Sequence, residues 1–362
     1  MSAELEAIQR SAGAVFGQVA GKQLPVRYTA LESEWAAVRR HCGVFDAGFR
    51  GLLRLTGSDR TTFTQGMVTN DVAILKSGDG TYAALLTVQG RIVSDMRIYA
   101  LADEIWLEVP AQRIAAVRDH LERHIVADEV EFIVESNAWA PLLAIEGPRA
   151  AGIVATVIGA DPDGLRPFAH REHIFETTPL RIAAVTHAGE AGYLFIGPPA
   201  LAGRLWQACK DAGAVAVGME ALDVLRLEAG IPWYDYDMDE TTLISEVGLE
   251  TAISFRKGCY LGQEVVERVA ARGQVQRKLV GLVCEGRLPP PADSPLRYDG
   301  KEAGFITSAL WSPACQSLIA LGYVRQEYWE PGCELLVALP GATATGRVVP
   351  LPFYKGGASP AA

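Results

Sequence analysis

The sequence predicts an α+β protein in which two related units, each an antiparallel sheet with helices, are followed by a small C-terminal β-barrel. Three observations support this fold class. Two stretches of the chain repeat the order strand, helix, two strands, helix, although without a residue-level repeat. A third stretch contains only short strands divided by Pro and Gly turns. The chain also has 362 residues, which is more than a domain with a single hydrophobic core usually contains, so several domains are expected.

The first unit is predicted to span residues 1–137. Its predicted strands are 44–46, 51–57, 81–87, 92–99 and 105–109. Ser58 or Asp59 can cap the helix that follows the second of these strands. The run Gln89-Gly90-Arg91 between the two longest strands is typical of a hairpin. An amphipathic helix at 111–127 completes a sheet with helices on one side.

The second unit is predicted to span residues 138–274. Its predicted strands are 139–145, 182–185 and 193–196, and its predicted helices are 148–158 and 198–212. This order matches that of the first unit, and the two regions could interleave in space.

The barrel is predicted at residues 275–355. Short apolar strands are indicated at 279–283, 304–308, 318–324 and 334–339. Pro and Gly turns separate them, which is the pattern of a small all-β unit. The remaining residues, 356–362, are small and are predicted to be a disordered tail.

The composition excludes several classes of protein. A net charge of −10 disfavours broad binding to nucleic acid, and no apolar stretch is long enough to predict a membrane span. The first thirty residues lack an export signal, so a cytoplasmic location is expected. The six cysteines form no Cys-x-x-Cys pair and have no His at ligand spacing, so no metal site is predicted.

The octapeptide at 257–264, Lys-Gly-Cys-Tyr-Leu-Gly-Gln-Glu, is the most distinctive motif. It places Cys259 between Gly258 and Gly262, beside Lys257, directly before a predicted helix. A helix N-terminus and a neighbouring ammonium both favour a thiolate over a thiol. The pattern therefore predicts an activated thiolate, and the alternative is a buried, inert cysteine.

Several segments resemble the glycine-cleavage T-protein superfamily of tetrahydrofolate-dependent enzymes. These segments are 44–46, 69–72, 90–99, 225–230, 312–313 and 319–321. The octapeptide more narrowly resembles the YgfZ branch, which comprises folate-binding proteins implicated in making or repairing iron–sulfur clusters, notably in enzymes that modify tRNA. The resemblance covers about residues 35–355. It implies three domains arranged in a ring, with folate in the central opening.

The resemblance also implies a set of folate-binding residues. Asp95 matches an aspartate beside the reacting amines of folate, and Tyr82 and Tyr99 match the aromatic residues of the pterin pocket. A carboxylate can hold a proton of a cofactor amine, and aromatic rings stack on a flat pterin. Glu190 and Arg226 are two further candidates for contacts with folate. The alternative is that these are ordinary strand and turn residues.

Two positions depart from the T-protein pattern. Leu194 stands where a pterin-binding glutamate is expected, and Leu222 stands where an arginine is expected. Their absence removes a carboxylate and a cation that could pair with the ligand. The departures therefore favour the YgfZ branch over a glycine-cleavage enzyme.

The sequence thus predicts a cytoplasmic, monomeric folate-binding protein that supports iron–sulfur cluster assembly or repair, with iron–sulfur client or assembly proteins as partners. Cys259 would be the functional thiol, Lys257 would hold it as thiolate, and Tyr260, Gln263 and Glu264 would belong to the loop that presents it.

Two alternatives to this function remain open, as does the question of turnover. The first is a tetrahydrofolate-dependent aminomethyltransferase or demethylase in which Asp95 is catalytic. The second is a non-catalytic scaffold that docks partner proteins.

Overall fold

A computed structural model describes residues 3–134, 139–162, 164–273, 275–339 and 342–356. Its α-helices are α1 (Ala3–Ser11), α2 (Leu31–Arg40), α3 (Arg60–Met67), α4 (Ile114–Glu122), α5 (Ala150–Ile158), α6 (Ala202–Asp211), α7 (Met219–Glu228), α8 (Ile244–Val247) and α9 (Gln263–Arg272). Its strands are β1 (Val15–Val19), β2 (Lys22–Arg27), β3 (Gly43–Asp46), β4 (Arg50–Thr56), β5 (Gly80–Leu86), β6 (Ile92–Ala100), β7 (Ile105–Pro110), β8 (Glu131–Ile133), β9 (Ala140–Glu146), β10 (His170–Phe175), β11 (Thr178–Ala184), β12 (Gly192–Gly197), β13 (Val215–Ala216), β14 (Arg277–Cys284), β15 (Pro295–Tyr298), β16 (Lys301–Ser312), β17 (Ser317–Arg325), β18 (Glu334–Leu339) and β19 (Ala342–Val349). The tail predicted to be disordered lies outside the described residues, apart from Gly356. In the part of the chain described, no helix is long and apolar enough to cross a membrane.

The first sheet has five strands in the order β5-β6-β7-β4-β8. The predicted hairpin is present as β5 and β6, which are antiparallel and place Ala84 opposite Asp95. Gly90 turns the chain between them with a φ of +74°, a conformation that glycine adopts without strain. Phe63 of α3 and Val117 of α4 pack in the apolar cluster that this sheet forms with its helices.

The second sheet has six strands in the order β10-β11-β12-β9-β3-β13. It includes β3, which pairs with β9 and places Val44 opposite Ile145. The sequence analysis placed this strand in the first unit while allowing the two regions to interleave, and in the structure it belongs to the sheet of the second unit. The reason is packing, because Val44 joins the apolar cluster with Ile145 and Trp206 of the second unit.

The C-terminal unit is a closed barrel in the order β14-β17-β16-β15-β18-β19. Closure leaves no free sheet edge, which is how a short antiparallel unit protects its backbone groups. Together with the two sheets and their helices, the barrel confirms the predicted α+β fold class.

The first unit and the barrel share an apolar cluster. Leu86 and Ile92 of the first sheet pack there with Leu279 and Leu321 of the barrel, and Tyr260 of the octapeptide joins them. These side chains are buried, so separating the two units would expose a continuous apolar surface to water.

The carboxylate of Glu228, at the end of α7, joins several elements. One of its oxygens accepts hydrogen bonds from Arg39 Nη2 at 2.7 Å and Trp35 Nε1 at 2.9 Å. The other oxygen accepts from Ser312 Oγ at 2.6 Å in the barrel. Arg39 also contacts Glu190 at 2.7 Å. Because Glu228 is completely buried, this charge is held in place only by its partners.

Replacing Glu228 by Gln is expected to lower the free energy of unfolding by about 3 to 5 kcal/mol, the usual cost of removing one partner of a buried ion pair, because Arg39 then keeps, among the described residues, only Glu190 to balance its charge. Urea denaturation measures the loss. Glu220→Gln is the matched control, because Glu220 lies on the same helix but is exposed and 3.9 Å from Arg27. Equal stability of the two variants would contradict this role for Glu228.

Candidate active site

One cavity of about 670 Å³ lies where the two sheets and the barrel meet. Tyr82 and Asp95 of the first sheet, His187 of the second unit and Val280 of the barrel all line it. This volume falls within the range of small-molecule sites. The cavity therefore has room for a cofactor-sized ligand at the centre of the fold.

Asp95 presents an incompletely satisfied carboxylate in this cavity. Its Oδ2 accepts a hydrogen bond from Tyr82 at 3.2 Å and lies 3.6 Å from Arg50 Nη1. Its Oδ1 is buried and has no hydrogen-bond partner among the described residues. An unpartnered buried acceptor is costly, so a donor supplied by a ligand would stabilise the site.

Two pairs of stacked aromatic rings form flat walls of the cavity. Tyr82 and Phe168 are stacked at 6.1 Å with 12° between their planes, and Phe49 and Trp233 at 5.6 Å with 26°. Burial raises the pKa of the Tyr82 hydroxyl, which keeps it protonated as a donor to Asp95. Flat walls beside a carboxylate suit a planar ligand that carries N–H groups.

Tyr99 lies beneath the site instead of on its surface. It is completely buried, and its hydroxyl donates to Glu108. Glu108 Oε1 also accepts from Arg50 at 2.8 Å and Arg97 at 2.6 Å. Burial raises the pKa of Glu108, but the two guanidinium groups outweigh burial and lower it overall. Tyr99 therefore helps to hold Glu108, the carboxylate that both arginine residues contact. Its position does not favour a direct ligand contact.

Glu190 and Arg226 do not line the cavity either. Glu190 pairs with Arg39 at 2.7 Å. Arg226 binds Asp237 and donates to Ser308 of the barrel at 2.9 Å. Their positions favour joining the units over contacting folate.

The two departures from the family pattern are also buried. Leu194 and Leu222 have no exposed surface and pack in one apolar cluster to which both sheets contribute. Neither position offers a polar group to a ligand.

The octapeptide lies outside the cavity lining. Cys259 is exposed, so the burial assumed in the alternative is wrong. Gly262 precedes α9 with a φ of +84°, and a Cβ atom there would lie 2.5 Å from the carbonyl oxygen of Thr87. Glycine is therefore required at 262 for the motif to pack on the hairpin of the first unit.

Lys257 does not direct its donors at the neighbouring thiol. Its Nζ donates to the carbonyl oxygens of Gln65 at 2.6 Å, Val68 at 2.6 Å and Asn70 at 2.9 Å. These contacts use the three donors of an ammonium and satisfy carbonyl groups at the end of α3. Burial lowers the pKa of Lys257 to about 8. The geometry thus makes Lys257 a clamp between distant segments and does not support the predicted role at Cys259.

The other motif residues divide into loop contacts and exposed positions. Gln263 Oε1 accepts from the amide of Tyr260 at 3.2 Å, so Gln263 does hold the loop. Gly258 and Glu264 are exposed.

The sequence analysis missed several polar residues of the cavity, among them Arg97. Arg97 lies two positions after Asp95 on β6 and therefore on the same face of the strand. Because side chains alternate between the two faces of a strand, the sequence could have indicated that Arg97 lies beside Asp95. Arg50 and His187 also line the cavity. His187 follows no recognisable pattern. Across the residues with described positions, no three His, Cys, Asp or Glu side chains are grouped to hold a metal ion.

The fold and cavity define the class of proteins in which two α+β units and a barrel enclose one small-molecule site. Residues 5–257 match the model of the GCVT N-terminal domain, and residues 277–355 match that of the glycine cleavage T-protein C-terminal barrel domain. The chain therefore belongs to the glycine-cleavage T-protein family, and the predicted superfamily is confirmed.

Individual relatives match along the whole chain. An aminomethyltransferase of Rubrobacter xylanophilus is 34% identical over 347 residues, which cover 96% of this chain and 92% of the relative. One of Streptomyces avermitilis is 32% identical, covering 97% and 96%. The crystal structure of glycine cleavage system aminomethyltransferase T from Bartonella henselae superposes with a TM-score of 0.90 at 27% identity, covering 98% of both chains.

The names of these relatives bear on the predicted function. They favour the aminomethyltransferase alternative over the main prediction. They give no support to the YgfZ branch, to iron–sulfur cluster assembly or to tRNA modification.

Replacing Lys257 by Met is expected to lower the free energy of unfolding by about 2 to 4 kcal/mol, because buried carbonyl groups lose a charged donor. Urea denaturation measures this loss. Lys278→Met is the control, since Lys278 is half-exposed and 3.8 Å from Glu250. Unchanged stability of Lys257→Met, together with slower alkylation of Cys259, would instead support the predicted activation of the thiol.

Proposed function

We propose that the protein is a cytoplasmic, tetrahydrofolate-dependent one-carbon transferase, which moves the carbon of an aminomethyl or methylated amine donor to a folate nitrogen and releases ammonia or the demethylated amine, respectively. The observation that carries this proposal is the buried, unpartnered Oδ1 of Asp95 in a cavity bounded by all three units. The aminomethyltransferase relatives, which match nearly the whole chain, support the same reaction class.

The residues of the cavity fit this cofactor. Tyr82 and Phe168 offer stacked ring faces for a flat pterin. When bound, tetrahydrofolate supplies the amine nitrogens that take up a one-carbon unit. Asp95 can hold a proton at such a nitrogen, which is general acid–base catalysis by a positioned carboxylate. Arg50 and Tyr82 keep this carboxylate in place from its other oxygen.

The edge of the pterin must be recognised differently from the family pattern. Leu194 and Leu222 lie in the apolar core, so neither contributes a charge. The polar side chains that remain at the cavity include Arg50, Arg97 and His187. We assign recognition of the cofactor to this group.

Titration with tetrahydrofolate is expected to show saturable binding, and incubation with aminomethyl-carrying and with methylated amine donors is expected to transfer a one-carbon unit to it from at least one of the two donor classes. Asp95→Asn should lower kcat by about 10²- to 10⁴-fold, the usual contribution of a general acid or base. Asp103→Asn is the control, because Asp103 is exposed. Measured binding without turnover would contradict the transferase. No saturable binding at millimolar ligand would leave only the non-catalytic scaffold.

A second candidate function is thiol chemistry at Cys259, which includes the predicted role in iron–sulfur cluster maintenance. The specific observation is exposure of this side chain on a loop that is fixed on both sides. Lys257 anchors one side to the end of α3, and Gly262 packs closely on the hairpin at the other. A fixed, accessible thiol can meet a disulfide or another sulfur species.

Alkylation with iodoacetamide at neutral pH tests this second candidate, with the modified sites identified by mass spectrometry. Cys259 is expected to react faster than free cysteine, whereas the buried Cys42, Cys209 and Cys284 should remain protected. Reaction of Cys259 no faster than free cysteine would eliminate the activated thiol.

A further inference from the structure

A carboxylate and an imidazole meet at the wall of the cavity, and neither takes part in the proton transfer assigned to Asp95, although His187 belongs to the polar group to which cofactor recognition is assigned. His187 Nδ1 lies 2.8 Å from Glu146 Oε1. Glu146 is completely buried and also accepts from the amides of His187 at 2.7 Å and Ala188 at 2.8 Å and from Thr186 Oγ at 2.9 Å. Four donors therefore converge on one carboxylate, which fixes the turn that carries His187.

The partners of His187 determine its tautomer. Its Nε2 lies 2.8 Å from Arg97 Nη1, and an arginine can only donate. Nε2 must therefore accept, and the proton must be on Nδ1, where it is donated to Glu146. The imidazole is consequently neutral, and a protonated imidazole would direct a second N–H at Arg97.

The charges around the pair support this assignment. Burial, and next the positive charges of Arg97 and Arg50, lower the pKa of His187. Burial raises the pKa of Glu146 to about 7, against the hydrogen bonds that it accepts and the charge of Arg97. Among the described residues, Cys42 also interacts with Glu146, and the pKa of its thiol is raised by burial and by this carboxylate.

Arg97 is held by both sheets through these contacts. Its Nη1 donates to Glu108 at 2.6 Å in the first sheet and to His187 in the second unit. Its Nη2 donates to the carbonyl oxygen of Thr186 at 2.9 Å. Because Arg97 and Asp95 share one face of β6, the turn at 186–188 fixes a guanidinium group next to the carboxylate of the site.

We propose that Glu146 and His187 form a positioning dyad, in which the neutral imidazole holds Arg97 beside Asp95 and so sets the affinity of the cavity for reduced folate. This inference rests on the proposed function. Glu146 acts only through His187, and His187 acts through Arg97.

The affinity for tetrahydrofolate of the full-length protein tests the dyad. His187→Phe removes the acceptor and is expected to weaken binding by about 10- to 100-fold, the usual worth of a hydrogen bond to a charged group. His187→Gln restores an acceptor near the position of Nε2 and is expected to remain within about 3-fold of wild type. If the ring had only a structural role, His187→Gln would not restore the affinity for tetrahydrofolate.

His170→Gln is the matched control. His170 is also a buried histidine whose ring nitrogen lies 2.9 Å from an arginine, Arg181, but it lies outside the cavity lining. Its replacement is expected to leave the affinity unchanged. If His187→Phe binds tetrahydrofolate as tightly as the wild type, the dyad is overturned and the proposed function is not. Absence of binding by the wild type would overturn the proposed function and the dyad together.

A ligand-free measurement tests the geometry separately. In ¹⁵N spectra of the histidine side chains, His187 is expected to show a protonated Nδ1 and an unprotonated Nε2 at neutral pH. Glu146→Gln is expected to alter this signature, because the side chain facing Nδ1 loses its charge. A proton on Nε2 of the wild type would overturn the dyad whatever the folate affinity.

Discussion

The contact between Arg39 and Glu228 is the constraint on which the junction between the second unit and the barrel depends. The pair is buried, and its partners come from α2, from the second unit through Glu190 and from the barrel through Ser312. A buried ion pair is stable only when every partner is present. The residues that follow Glu228 line the cavity, so the contact that joins the units also places one wall of the site.

A second charged network determines the chemistry of the cavity. Arg50 and Arg97 face Glu108 and Asp95, so two cations meet two carboxylates in a buried space. Glu108 is saturated by its partners, whereas Asp95 retains a free oxygen. The two carboxylates thus differ in whether both of their oxygens have hydrogen-bond partners. This difference distinguishes Glu108, which is structural, from Asp95, the candidate catalytic residue, although Arg50 contacts both. The network thus leaves Oδ1 of Asp95 without a hydrogen-bond partner among the described residues.

The sequence could predict features that depend on local spacing and missed those that depend on pairing between distant segments. The hairpin pattern and the family resemblance predicted that Tyr82 and Asp95 lie together, and the Tyr82 hydroxyl is 3.2 Å from Asp95 Oδ2. Tyr99 shares a face with Asp95, but the neighbouring strand brings Glu108 to it, and no local pattern reveals that pairing. Lys257 is adjacent to the thiol motif in sequence, yet its ammonium contacts Gln65 and other residues of the first unit. Helix and strand periodicity does not encode such contacts.

The central claim is that reduced folate binds against the free oxygen of Asp95. The most direct test is the ¹³Cγ chemical shift of Asp95, followed as tetrahydrofolate is added to the labelled protein. A saturable shift of this resonance is expected, with a smaller change at Asp103 on the exposed surface. Saturable binding that leaves the Asp95 resonance unmoved would place the ligand elsewhere and contradict the account.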